Sequence, residues 1–151
     1  MKGGIGAGQA QGFTLLEVLM VMAILSILLM VATPHYQDQR TRIKVVAELE
    51  LATPIKKAIT EMFYIEGIMP TDNAMAGLEN KDFYAGSWVK TIEVGDQPAD
   101  GSITVSYDGL DLPALGSENT IVIYPTLNNG TVSWACDQGT MVDDYRPKEC
   151  R

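Results

Sequence analysis

Gly12-Phe13-Thr14-Leu15-Leu16-Glu17 is the most informative segment of this chain. It opens an apolar segment, residues 13–33, that contains no Gly or Pro and only one charged residue, Glu17. As a helix, this segment would be about 31 Å long, which matches a bilayer hydrocarbon core of roughly 30 Å. A carboxylate in such a segment costs roughly 2.5–3.5 kcal/mol or more on insertion scales. Glu17 therefore needs a partner.

Residues 1–12 read as a leader, with one charged residue, Lys2, and five Gly. A general secretory signal places its cleavage site after the apolar region, but no such site follows Thr33. Cleavage between Gly12 and Phe13 would instead keep the apolar helix and give it a free amine. On a helix, Phe13 and Glu17 share a face because they are four residues apart. The carboxylate could then pair with its own amine or with that of a copy packed at an axial offset.

These residues resemble the type IV pilin family, whose prepilins carry Gly, then Phe-Thr-Leu-Leu-Glu, then an apolar helix. The likeness continues through Pro34 and Tyr36 and returns at the C-terminal cysteine pair, Cys136 and Cys150. The residues between resemble the family in architecture only. The leader is longer than is common in type IVa-like pilins, which bears on the subfamily and not on the processing.

The resemblance implies that a membrane-embedded prepilin peptidase cuts after Gly12 and N-methylates Phe13. It implies that Glu17 neutralises the amine of an adjacent subunit during assembly. The expected partners are other pilin subunits in a homopolymer, the prepilin peptidase and the pilus assembly platform of the inner membrane. The chain is expected in the inner membrane as a single-pass protein and then in the extracellular pilus. A plain membrane-anchored protein with a chance Glu explains the motif less well, because the motif fits by position as well as by composition.

Composition predicts one small acidic domain on a stalk. After removal of residues 1–12, ten Lys and Arg face 19 Asp and Glu, a side-chain charge of −9. This acidic balance keeps an exposed surface soluble. It does not favour a nucleic-acid-binding surface, although the net charge does not exclude a local basic patch. The 118 residues after Thr33 suffice for one core but not for two.

The pattern beyond residue 33 predicts an α+β head. Apolar residues at three- and four-residue steps predict an amphipathic helix over 34–66, continuous with the apolar half from Phe13 and bent at Pro34 and Pro54. The globular head, 67–151, opens with a loop over 67–86. A four-stranded antiparallel sheet follows and packs on the helix; its strands are expected at Ser87–Val94, Ser102–Asp108, Asn119–Leu127 and Thr131–Ala135.

Cys136 and Cys150 are the only cysteines, and an exported head would oxidise them. The bond would close the loop 136–150 and contribute about 3 kcal/mol in the chain-entropy model. Because Cys150 is followed by a single residue, the bond is expected to be what holds the tail. In the resembled family, this loop contributes to subunit contacts and, in some members, to receptor binding.

No catalytic residue, metal site, cofactor or small-molecule substrate is predicted. His35 is the only histidine and has no cysteine near it, which leaves catalytic dyads and zinc sites without ligands. Asp143-Asp144 lacks the spaced oxygen donors of a calcium loop. Asn129-Gly130-Thr131 matches a glycosylation acceptor pattern, but Asn-Gly is explained more simply as a hairpin turn.

Three functions stay open from the sequence. The first is a major pilin, a filament subunit for adhesion, twitching motility or DNA uptake. The second is a minor pilin or a type II secretion pseudopilin; the cysteine loop speaks against a major pseudopilin, which typically has a calcium-binding loop instead. The third is an anchored periplasmic enzyme, which no nucleophile–base pair or metal cluster supports. Contact with a host surface or with DNA is left undecided.

Overall fold

A computed structural model describes residues 12–109, 112–117 and 119–151, without the side chains of 33–35 and 113. The predicted leader therefore lies outside the described residues except for Gly12. The chain forms two compact units, Met1–Tyr36 and Gln37–Arg151.

The helical half of the chain consists of α1, Leu15–Leu49, and α2, Ala52–Glu66. The sequence predicted one helix from Phe13 to Glu66, and α1 does continue through Pro34. The break before α2 follows from Pro54, which has no N–H to donate to the carbonyl of Glu50. That carbonyl instead accepts from the N–H of Thr53 at 3.0 Å, a tighter turn. Gly67 ends α2 in the left-handed region, with φ of 75°, and its N–H donates to the carbonyl of Phe63.

The second unit contains a four-stranded antiparallel sheet, as predicted. Its strands, in the order β1-β2-β3-β4, are Val89–Gly95, Ser102–Tyr107, Thr120–Asn128 and Thr131–Gln138. Asn129 and Gly130 form the β3–β4 turn with φ of 50° and 79°, the positive angles that favour Asn-Gly in tight hairpins. The last strand is three residues longer than the sequence predicted, because its end continues to pair with β3, where Gln138 lies opposite Val122.

The core of the head lies between the helices and one face of the sheet. Ala52, Ile55 and Ile59 of α2 pack with Val45 of α1 against buried strand residues; these are Val89, Ile92, Val94, Ile103, Val105, Tyr107, Ile121 and Ile123. The hydroxyl of Tyr107 donates to the carbonyl of Val45 at 2.9 Å. Burial and, secondarily, the carboxylate of Glu48 raise the pKa of Tyr107, so this hydroxyl stays neutral and keeps its hydrogen at physiological pH.

One amide side chain, from the loop before β1, forms hydrogen bonds with backbone groups on the free edge of this strand. Asn73 donates through Nδ2 to the carbonyls of Ile92 and Glu79, at 3.2 and 2.9 Å, and accepts the N–H of Val94 at 2.6 Å. The amide thus satisfies one C=O and one N–H of an edge strand, groups that otherwise template pairing with another chain.

We expect Asn73→Ala to lower the unfolding free energy of the head by about 1–3 kcal/mol, because part-buried backbone groups of β1 lose their partner. Urea denaturation of residues 37–151 measures this loss, and light scattering measures the self-association expected of an uncovered edge. Asn128→Ala at the exposed hairpin is the matched control. Equal stability of the two variants would contradict the role given to Asn73.

Candidate functional site

The predicted cleavage site lies immediately before a capped helix. Thr14 precedes α1, and its Oγ1 accepts the N–H of Glu17 at 3.3 Å. Its carbonyl accepts the N–H groups of Glu17 and Val18 at 3.1 and 3.3 Å. Thr14 is therefore the N-cap, and Glu17 occupies the third helical position, as in a capping box. The sequence analysis missed this role, although Thr followed three residues later by Glu is a readable signal.

Gly12 and Phe13 lie outside the helix in irregular, exposed backbone. No atom lies within 4 Å of a Cβ placed on Gly12, and the side chain of Phe13 is 83% exposed. Exposed irregular backbone with small residues is the preferred substrate of proteases. Phe13 and Glu17 do not share a helix face in this structure, because the helix begins at Leu15, two residues after Phe13.

Glu17 lies in the first turn of α1, where a carboxylate interacts favourably with the positive end of the helix dipole. Its side chain is exposed, and no salt bridge of Glu17 occurs within the described part of the chain. The position therefore provides a free anion one turn from the predicted new N-terminus.

Beyond Glu17, the first unit exposes apolar side chains on every face of α1. All side chains from Phe13 to Ala32 are exposed. The most apolar stretch has a mean hydropathy of 2.7, and the helix is long enough to cross a membrane. Soluble monomers rarely expose contiguous apolar patches above a few hundred Å². This surface therefore requires a bilayer or other apolar helices around it.

The predicted disulfide between Cys136 and Cys150 is present, with Cα atoms 4.6 Å apart. It joins the end of β4 to a short 3₁₀ helix, Lys148–Cys150, and Cys150 is fully buried. The bond fixes the base of the loop that the sequence singled out.

A buried arginine side chain also holds this loop. The expectation that the disulfide alone fixes the C-terminal residues is therefore wrong. Arg146 is only 5% exposed. Its guanidinium donates to the carbonyls of Met141 and Asp137 at 2.7 Å and of Gly139 at 2.8 Å. The guanidinium carries several N–H donors in one plane, so it can donate to several carbonyls at the same time. Sequence reasoning missed Arg146 because arginine is seldom fully buried and no motif marks it.

The loop is also tied to the helix of its own unit. The hydroxyl of Tyr145 donates to Oδ1 of Asp38 at 3.0 Å. Partial burial and this hydrogen bond raise the pKa of Tyr145. The C-terminal loop thus presents a fixed surface beside β4.

The described residues contain no group of three His, Cys, Asp or Glu side chains arranged to hold a metal ion. The side chain of His35 lies outside the described part. The features that the described residues do present are an accessible N-terminal bond, an apolar helix with one carboxylate, and a braced head.

Comparisons with known proteins match both parts of the chain. Residues 8–33 match the prokaryotic N-terminal methylation motif, and residues 41–151 match the pilin (bacterial filament) family. The fimbrial protein EcpC of Eikenella corrodens is 32% identical over 141 residues, covering 93% of this chain and 90% of that protein. The type IV major pilin protein PilE of Neisseria gonorrhoeae is 33% identical over 128 residues, covering 85% and 74%.

A solved structure agrees in fold. The crystal structure of a Pseudomonas aeruginosa type IV pilin superimposes with a TM-score of 0.56 at 23% identity, covering 74% of this chain and 97% of that one. The two family matches and the relatives confirm the family that the N-terminal motif indicated, and the solved structure confirms the helix-on-sheet fold. The chain belongs to the type IV pilin family: it is made as a prepilin with a hydrophobic N-terminal helix and is a structural, polymerising subunit of a pilus filament, not an enzyme.

Proposed function

We propose that this chain is the main subunit of its filament and matures by cleavage between Gly12 and Phe13, followed by N-methylation of Phe13. The supporting observation is the exposed, irregular backbone at Gly12 and Phe13, directly ahead of a helix that Thr14 caps. A cut there releases the leader and leaves the helix intact. The relatives named above as a fimbrial protein and a major pilin favour the main subunit over a minor pilin or pseudopilin.

The proposed role of Glu17 follows from charge in an apolar environment. Cleavage creates a cationic amine at Phe13, and methylation of an amine keeps its charge. An isolated cation and an isolated carboxylate are each costly among apolar helices, whereas a pair offsets part of that cost. Glu17 of one subunit therefore pairs with the amine of its neighbour as the helices 13–33 pack together. Before assembly, the same helix anchors the subunit in the inner membrane, within reach of the prepilin peptidase and the assembly platform.

The external role of the filament is adhesion, motility or DNA uptake. The side-chain charge of −9 after cleavage disfavours general phosphate binding by the shaft. We therefore place attachment or traction ahead of direct DNA binding by this subunit.

Mass spectrometry of sheared filaments tests the processing. We expect the mature chain to begin at N-methylated Phe13. Gly12→Leu should leave the leader attached, whereas Gly8→Leu, within the leader but away from the bond, should be processed normally. A mature chain that begins at Met1, or one cut after Thr33, would contradict the proposal.

A further inference from the structure

The two edges of the head carry surfaces of opposite character. At the β4 edge, a groove of about 640 Å³ lies along the flank of α2. We call it the α2 groove; its main lining residues are Lys56, Lys57, Tyr64, Ile65 and Trp134. Ile65 is 74% exposed. The hydroxyl of Tyr64 accepts the N–H of Val132 on β4 at 3.3 Å, which fixes the floor of the groove.

At the opposite edge, a short 3₁₀ helix, Lys81–Tyr84, lies against β1 and presents Phe83 to solvent. Phe83 is 70% exposed and stacks edge to face on Tyr84, with ring centroids 5.6 Å apart. Its N–H donates to the carbonyl of Asn80 at 2.8 Å. An aromatic side chain on a fixed backbone loses little entropy on binding, and such side chains dominate binding energy at interfaces.

Charge distinguishes the surfaces as well. The α2 groove contains Lys56 and Lys57 against a single acid, Glu61, in a chain whose net charge is −8. Next to Phe83, Asp82 adds a carboxylate, while Lys81 pairs with Glu93 at 3.5 Å. The groove lining is therefore cationic by one charge, and the group of Lys81, Asp82 and Glu93 is anionic by one.

We propose that Phe83 of one subunit inserts into the α2 groove of the next, with Asp82 facing Lys57. The occupant is a second copy of this chain, because a filament subunit must present both surfaces repeatedly to its neighbours. The two surfaces lie at opposite edges of one sheet, β1 and β4, so the contact is head-to-tail. Such a contact does not pair two copies off but continues from subunit to subunit, as a helical filament requires. The contact is separate from the pairing of Glu17 and rests only on the chain being a filament subunit.

Cysteine cross-linking in intact filaments tests the contact. Phe83→Cys combined with Ile65→Cys should give, on mild oxidation, a ladder of covalent oligomers on non-reducing gels. Val142→Cys combined with Ile65→Cys is the matched control, since Val142 is also exposed but lies in the C-terminal loop; it should stay monomeric. Absence of the ladder, or bands that stop at a dimer, would overturn the proposal.

Charge reversal gives an independent readout. Lys57→Glu should lower the yield of sheared filaments roughly tenfold, and adding Asp82→Lys should restore most of it. Failure of the second change to restore the yield would also overturn the contact. These outcomes leave the processing proposal untouched, because cleavage at Gly12 is measured separately by mass; a ladder formed by uncleaved chains would remove the processing proposal and keep the contact.

Discussion

Replacing Glu17 by Gln is expected to reduce surface filaments at least tenfold while the subunit still enters the inner membrane at the wild-type level or above. Removing a carboxylate from an apolar segment relieves an insertion cost of roughly 2.5–3.5 kcal/mol, so insertion does not suffer. Assembly suffers because the amine of Phe13 on the neighbouring subunit loses its counter-ion. Quantitative immunoblots of sheared filaments and of the membrane fraction measure the two effects.

Gln is the informative replacement because the capping box accepts Glu or Gln at this position. The hydrogen bond from the N–H of residue 17 to Thr14 Oγ1 is kept, and only the charge is lost. Thr14→Ala is the matched control: it removes the side-chain cap, costing about 1 kcal/mol of helix stability, but keeps the carboxylate. We expect filaments from it. Normal filament yield in Glu17→Gln would exclude the pairing of Glu17 with an amine.

The second large effect is expected in the C-terminal loop, which is held both by the disulfide and by the Arg146 guanidinium. Cys136→Ser with Cys150→Ser should lower the unfolding free energy of residues 37–151 by roughly 2–4 kcal/mol. Arg146→Met should lower it by about 2–3 kcal/mol, because three carbonyls lose a charged donor. Lys148→Met, in the same loop but exposed, is the control and should change stability by less than about 0.5 kcal/mol. Urea denaturation measures all three.

Combining the changes tests whether the disulfide and Arg146 stabilise the same part of the head. Since the disulfide and the Arg146 guanidinium both fix residues 136–150, the triple variant should lose less than the sum of the two separate losses. Strict additivity would show that they stabilise different parts of the head. Unchanged stability in Arg146→Met would show that water replaces the guanidinium at those carbonyls without cost.

The contrast between prediction and structure is clearest at the two ends of the chain. At the N-terminus, apolar composition and one carboxylate indicated the membrane-length helix and the family, because both signals are local. The start of the helix at Leu15 was also local, in the spacing of Thr14 and Glu17, and was overlooked. The break before α2 likewise follows from Pro54, although the sequence analysis expected a bend there and not a turn.

At the C-terminus, the cysteine count predicted the covalent bond but not its surroundings. Arg146 and Asn73 look like ordinary surface residues in the sequence. Each meets backbone groups that folding brings together: Asn73 reaches β1 across 19 and 21 positions, and Arg146 gathers carbonyls from the turn after β4. Whether a polar side chain meets a backbone group depends on which segments the fold brings close together. A local pattern in the sequence does not contain that information.

The helix, the number of strands, the hairpin turn and the family could therefore be predicted from the sequence, since these depend on hydrophobic period, turn chemistry and a contiguous motif. Only the folded head shows which polar residues stabilise it, and that an exposed Phe83 and a lysine-lined groove lie at opposite edges of the sheet. Those facts depend on strand order and on the packing of α2 beside β4, which are set by the burial of the whole core and not by any one segment.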